Sequence, residues 1–468
     1  MKRWCISTVV LAALGLAGCQ PNPFDDAAWP EGRRSGEHMA PYRLPMQSGE
    51  PREGDPTFEL FEAKGELTLR EAMALAVARN PKLRAFGWDV RRAEALALQA
   101  GQWPNPELEA EFENFAGAGT FSGIDSLETT VSLAQTFPLG GDIDHRRELA
   151  DAHTRLANWD YEAARLAVLL EVTQRFIEAL AADRRIDLAE RELAWAHVMQ
   201  ELTNRRVEAG DASPVETTRV LVPVITAEVE LARARRDREA AYRRVATMWD
   251  GRTLTLDRVV GEMEGLDPLP PVDALVQLIN ENPVVARWAA EISRRFAEQY
   301  LAEAEAAPDL TGRVGIKHHN EADDTALVVG ISLPLPVFDR REGDILAARL
   351  GATAARQRQR ETELRLEDML SAAYAEMAGS HDEASALKAR AIPAASTAHD
   401  ATRRAFDEGK LPFLDVLDAQ RTLFELQERY VDALARYHMA AAEIESLIGR
   451  RLTDLIQPVG PSDQEAQP

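Results

Sequence analysis

Few side chains in this 468-residue sequence are spaced for chemistry. Asp415 and Asp418 lie three residues apart, on one face of any helix that carries them. His318 and His319 are adjacent. On a strand they point to opposite faces, which is poor geometry for joint chelation, so they read as a surface pair. Cys5 and Cys19 are the only cysteines. Cys19 closes the run Leu16-Ala17-Gly18-Cys19, behind Lys2, Arg3 and the apolar stretch Ile6 to Leu16. That stretch is too short to span a bilayer and reads as a secretory signal. Small residues before a cysteine form a lipobox. They admit the processing peptidase, and the Cys19 thiol takes the diacylglyceryl group. Residues 1–18 are then removed with Cys5, which leaves no disulfide and no cysteine metal site. Gln20 follows, where Asp often retains such proteins in the inner membrane. The expected product is a lipoprotein of the outer membrane.

Other chemistry is missing. The sequence has no Gly-x-x-x-x-Gly-Lys-Ser phosphate loop and no Gly-x-Ser-x-Gly elbow. Its acids fall on long helical patterns, where they form solvated faces. The ten Met are scattered, without the cluster that copper-handling proteins often use. No catalytic residue, cofactor or resident metal is expected. The net charge of -23 argues against nucleic acid, whose phosphates call for Lys and Arg. It suits a conduit for cations, and equally a soluble acidic protein.

The elements that would position these residues follow from periodicity. Residues 19–66 are rich in Pro, Gly and charge and read as an extended leader. A helical pattern runs from Leu67 to about Gln99, with Thr68 and Glu71 as a capping box and a break at Asn80-Pro81. Glu107 to Phe115 then alternates with period two, Leu108, Ala110 and Phe112 opposite four glutamates. Leu127 to Phe137 alternates again after a Gly/Ser loop, which makes a hairpin. An acidic face opposite an apolar one fits a strand between water and lipid, or a solvated face of a soluble sheet. From Asp142 to Ala209 there is neither Gly nor Pro. Leu149, Ala152, Leu156, Trp159, Ala163, Leu166, Leu170, Thr173, Ile177 and Leu180 form a coiled-coil seam there. Gly210 and Pro214 mark a turn, and a return helix runs to about Trp249.

The programme repeats about 200 residues later. Asn282-Pro283 echoes Asn80-Pro81, and Arg313 to His319 with Ala326 to Leu335 echo the hairpin. Gly409 echoes Gly210, and Asp415 echoes Glu216. The expected division is a signal at 1–18, a leader at 19–66, one repeat at 67–260, a second at 261–450 and a tail at 451–468. Each repeat supplies two strands, whereas a membrane barrel closes with at least ~8. Four strands alone would leave unpaired backbone in lipid. Several chains must share the barrel.

Residues Leu67 to Gly449 resemble the TolC-type outer-membrane efflux proteins. The stretches Glu113-Asn114-Phe115, Leu127 to Leu133 and Leu139-Gly140-Gly141 resemble the cobalt-zinc-cadmium efflux subgroup. The resemblance implies a homotrimer with a 12-stranded β-barrel and a long α-helical barrel. It implies the outer-membrane exit of a tripartite system, with a periplasmic adaptor and an inner-membrane RND pump as partners. It places Gly210, Gly409 and Lys410 at periplasmic tips that meet the adaptor. It places Asp415 and Asp418 in acidic rings that narrow the pore; the other reading is two solvated acids near a helix start, favoured by its dipole. Glu216 reads equally as a ring member or a surface acid. The family's best-known member has an Arg two residues after the tip glycine, and Leu411 stands here, which puts an ionic latch in doubt. Two rival functions stay open. One is a multidrug or type I secretion channel, and the other is a coiled-coil lipoprotein spacer without a pore.

Overall fold

A computed structural model describes residues 65–251, 256–452 and 455. All belong to the unit Glu62–Pro468. Cys19, the signal, nearly all of the leader and most of the tail lie outside the described residues.

Helix α1 (Leu69–Arg79) begins as its sequence dictates. Thr68 Oγ1 accepts from the Glu71 amide, and the Glu71 carboxylate accepts from the Thr68 amide at 2.8 Å. Those hydrogen bonds hold Glu71 below the usual carboxylate range. Asn80 ends α1 and caps α2 (Pro81–Ala100), accepting from the Leu83 amide at 3.2 Å, with Pro81 where no amide donor is needed. Leu67, expected to open the helix, instead lies in β1 (Gly65–Thr68). This strand pairs in parallel with β4 (Leu256–Val260). Strands of four and five residues are too short to show a period. What holds β1 and β4 is the core of Leu67, Leu75, Val172, Phe176, Tyr242, Trp249 and Val259.

A second sheet has the order β2 (Glu107–Glu113), β3 (Glu128–Phe137), β5 (Leu310–His319), β6 (Asp324–Ser332), antiparallel throughout. Leu335, expected to end the last strand, lies beyond β6. Pro334 cannot donate to a ladder. Leu108, Leu133, Val314 and Val329 share one row of one face, and Ala110, Val131, Ile316 and Leu327 the next. Leu108 is 77% exposed and Leu327 72% exposed. Nothing among the described residues covers this apolar face. The outer edges of β2 and β6 have no strand partner among the described residues.

Helix α3 (Asp142–Glu208) is unbroken for 67 residues. At ~1.5 Å per residue it is about 100 Å long. The expected seam is corrected: its buried stripe is Ala164, Val168, Val172, Phe176 and Ala179, displaced around the helix. Of the seam residues only Ala152 and Ile177 are fully buried. The reason is that α3 packs on several sides, against α2, α4 (Pro214–Ala246) and α6 (Pro283–Ala304). A short helix α5 (Val272–Leu278) precedes α6. After β6 come α7 (Glu342–Ala386), a π-helical turn (Leu387–Ala391) and α8 (Ile392–Asp407). The wide turn answers Pro393, whose ring would collide with the Ala389 carbonyl in a regular helix. Helix α9 (Phe413–Ile448) returns and ends at Gly449, with φ of 69°.

The two Asn-Pro steps do the same work. Asn80 Nδ2 donates to the Met248 carbonyl at 2.9 Å, just past α4. Asn282 Nδ2 donates to the Ser446 and Leu447 carbonyls at 3.0 and 2.8 Å, at the end of α9. Both asparagines are buried. Helix neighbours run α2, α3, α6, α7, the same sequence of partners as β2, β3, β5, β6. Each strand thus hands on to a helix that keeps its place in line.

Candidate functional site

The α3–α4 and α8–α9 turns are built alike. The Gly210 amide donates to the Val207 carbonyl at 3.1 Å, and the Asp211 amide to Arg206 at 2.8 Å. The Gly409 amide donates to Phe406 at 2.9 Å, and the Lys410 amide to Ala405 at 2.8 Å. This paired pattern closes a helix with a left-handed residue, and φ is 80° at Gly210 and 74° at Gly409. Ser213 and Pro214 start α4, and Pro412 starts α9.

Met199, Val220, Phe406, Phe413 and Val416 pack as one apolar cluster, which brings the two turns to one end of the helices. Arg206 ties them further. Its guanidinium lies 4.6 Å from the Phe406 ring centroid and donates to the Phe406 carbonyl at 3.3 Å. Sequence reasoning missed Arg206, because nothing in its spacing shows that it reaches across 200 residues. Lys410 is exposed and paired with Glu408 at 2.5 Å.

Asp415 and Asp418 are both exposed in the first turns of α9, while Phe413, Val416 and Gln420 face inward. Glu216 is half-buried in the first turn of α4. No ion pair holds the carboxylates of Asp415, Asp418 or Glu216 among the described residues. Three acids at one end of the molecule's helices are thus free to meet a cation or one another's field. Leu411 is partly buried there and offers no charge.

At the sheet, the face opposite the apolar one carries charge. Glu109 pairs with Arg313 at 2.9 Å and Glu113 with Lys317 at 2.9 Å. Glu128 meets Lys317, and His319 at 3.3 Å. His318 falls on the apolar side, opposite Thr129 and Thr325, so the two histidines are separated. Among the described residues no group of three or more His, Cys, Asp and Glu is arranged to hold a metal ion. No described helix is long and apolar enough to cross a membrane. The Leu139-Gly140-Gly141 motif has a local reason. A Cβ at Gly140 would sit 2.1 Å from the Ala304 carbonyl oxygen, and Gly141 has φ of 79° at the start of α3.

Comparison with known proteins agrees with this geometry. The family model described as outer membrane efflux protein matches residues 72–251 and 274–450. The chain belongs to the outer membrane efflux protein family. A cobalt-zinc-cadmium resistance protein (CzcC) of Cupriavidus metallidurans is 31% identical over 389 residues, 83% of this chain and 91% of that one. A nickel-cobalt-cadmium resistance protein (NccC) of Alcaligenes xylosoxydans xylosoxydans is 26% identical over 307 residues, 64% of this chain and 69% of the relative. The crystal structure of a membrane protein from Pseudomonas aeruginosa superposes with a TM-score of 0.70 at 20% identity, over 81% of this chain and 92% of that one. As an outer membrane efflux protein the chain is a transport duct of the outer membrane and not an enzyme. Membership leaves no place for the spacer without a pore.

Proposed function

We propose that this chain is the outer-membrane exit of a tripartite efflux system for divalent heavy-metal cations, assembled as a homotrimer and anchored by lipid at Cys19. The observation that carries the cargo is the 31% identity to a cobalt-zinc-cadmium resistance protein across nearly the full length of both chains. The trimer rests on the open edges of β2 and β6. The two run in opposite directions, so β6 of one copy can pair antiparallel with β2 of the next. Three copies exceed the ~8 strands that closure needs. Leu108, Leu327 and Ile331 then meet lipid, and the glutamates meet water.

The two halves are copies of one unit in this reading, with boundaries at 67–260 and 261–450. Gly210, Gly409 and Lys410 form tips for a periplasmic adaptor. An RND pump in the inner membrane supplies the energy. Asp415 and Asp418 of three chains ring the inner end of the duct, and Glu216 stands beside them. The ring acts as a cation-selective aperture that opens when α9 moves away from the axis.

Growth of a deletion strain on gradients of zinc, cobalt, cadmium and copper, and on dyes and antibiotics, tests this. Sensitivity confined to zinc, cobalt or cadmium is expected. Sensitivity to dyes and antibiotics with normal metal tolerance would move the duct to drug efflux, and a polypeptide secretion defect would move it to type I secretion.

A further inference from the structure

Where helices meet the sheet, two carboxylate oxygens lie buried without donors. Asp142 opens α3 and is 7% exposed, and its Oδ1 has no hydrogen-bond partner. Asp309, one residue before β5, also has a buried Oδ1 with no partner. The sheet register brings the two corners together, since Phe137 at the end of β3 pairs with Leu310 at the start of β5. The third oxygen is the main-chain carbonyl of Ala304, at the end of α6, which accepts from the Ala307 amide at 3.0 Å and keeps one lone pair. Gly140 packs against two of these oxygens: a Cβ there would lie 2.1 Å from Ala304 O and 2.6 Å from Asp142 Oδ1, which sets those two oxygens no more than 4.7 Å apart.

The nearby cations are already engaged. Arg341 pairs with Glu305. Arg146 Nε donates to the main-chain carbonyl of Asp142 at 3.3 Å, not to its carboxylate. Burial pushes the Asp142 carboxyl above the usual range, and Asp309 and Glu305 add to it, against Arg146 and the Asp142 amide. Buried carboxylates are held by partners or by metal ions. Only oxygen is offered here; the C-terminus of α6 favours positive charge there, and the N-terminus of α3, where Asp142 sits, opposes it.

We propose that Asp142, Asp309 and the Ala304 carbonyl bind a hard divalent cation, calcium or magnesium, at the joint between helices and sheet. Oxygen-only donors select this class over zinc, which favours nitrogen and sulfur. Water completes the shell, because no third His, Cys, Asp or Glu converges there among the described residues. Two carboxylates place the affinity in the weak class of extracellular modules, about 10⁻⁴–10⁻³ M. The ion clips the β3–α3 corner to the α6–β5 corner. The site does not rest on the cargo reading, and metal-tolerance phenotypes leave it untouched.

The test uses the purified full-length protein, stripped with chelator and titrated with calcium chloride or magnesium chloride at neutral pH. Calorimetry and thermal melting are the readouts. About one ion per chain and a raised melting temperature are expected, saturating in the millimolar range. Asp142→Asn and Asp309→Asn weaken binding at least about tenfold, and Asp151→Asn, an exposed acid further along α3, keeps it. Asp309 is only half-buried, so Asp309→Asn decides the matter even where Asp142→Asn fails to fold. Absence of binding in the native chain, or equal binding in the Asn variants, overturns the site. So does a melting temperature that answers to pH through Asp142 but not to calcium or magnesium, since a proton then fills the place of the ion.

Discussion

Asp415 and Asp418 are exposed, three residues apart and without ion-pair partners among the described residues. If they ring the pore, Asp415→Ala with Asp418→Ala raises single-channel conductance in planar bilayers and lowers cation preference. An unchanged conductance in the double variant removes the aperture role. A different acid reports on stability. Glu291 is buried against Arg294 at 2.7 Å and Arg295 at 2.9 Å. Burial alone would raise its carboxyl, but the two guanidinium groups outweigh burial and hold it below the usual range. A value depressed on folding gives stability that is present above the unfolded pKa of about 4.3 and is lost as pH falls through the folded value. Glu291→Gln is therefore less stable at neutral pH, by about 3 kcal/mol, and loses less than the native chain on acidification. Thermal melting across a pH series reads both. Equal acid sensitivity of the two proteins counts against the assignment.

At the scale of elements, much was legible in the sequence. The capping box at Thr68, the Asn-Pro steps, the alternating strands and the uninterrupted α3 each follow from local residues, and each forms. What was not legible depends on partners far along the chain. The β1–β4 pair is set by packing, Arg206 reaches a distant helix, and the buried stripe of α3 is chosen by the several helices around it. The proposed aperture acids were placed by resemblance, since an acid pair near a helix start looks the same whether or not it lines a pore. The two sheet faces yield a direct contrast. Val131→Arg puts charge on the apolar face and costs about 2–4 kcal/mol in a bilayer, whereas Glu111→Arg, exposed on the charged face, is tolerated. The yield of folded protein in the outer-membrane fraction separates them. Similar yields mean that the apolar face does not meet lipid. At the tip, Gly409→Ala costs about 1–2 kcal/mol, because an L residue resists φ of 74°. Melting shows the loss, and an unchanged melting temperature means that the turn relaxes.

At the scale of the molecule, four strands with two open edges cannot close alone. Mild gel electrophoresis of unheated protein is expected to show a band of three chains that collapses to one chain on boiling, with loss of β-structure. A single-chain band before heating speaks against the shared barrel.

The matched lengths of the two descending stretches have an engineering consequence. Helix α3 spans Asp142–Glu208, and α7, the π-turn and α8 together span Glu342–Asp407. Both end at turns locked into one apolar cluster. Removing one residue from a single helix shortens it by ~1.5 Å and rotates everything below by about 100°. Such a deletion would pull Phe406 away from Val220 or turn it outward. Length is therefore heritable only in concert: whole heptads must be added or removed in both descending stretches and in α4 and α9 together. The hairpin loops meet through hydrogen bonds, such as Asn320 Nδ2 to the Ile124 carbonyl at 3.0 Å, but join no apolar cluster of this kind among the described residues, so lineages have more room there to gain or lose residues.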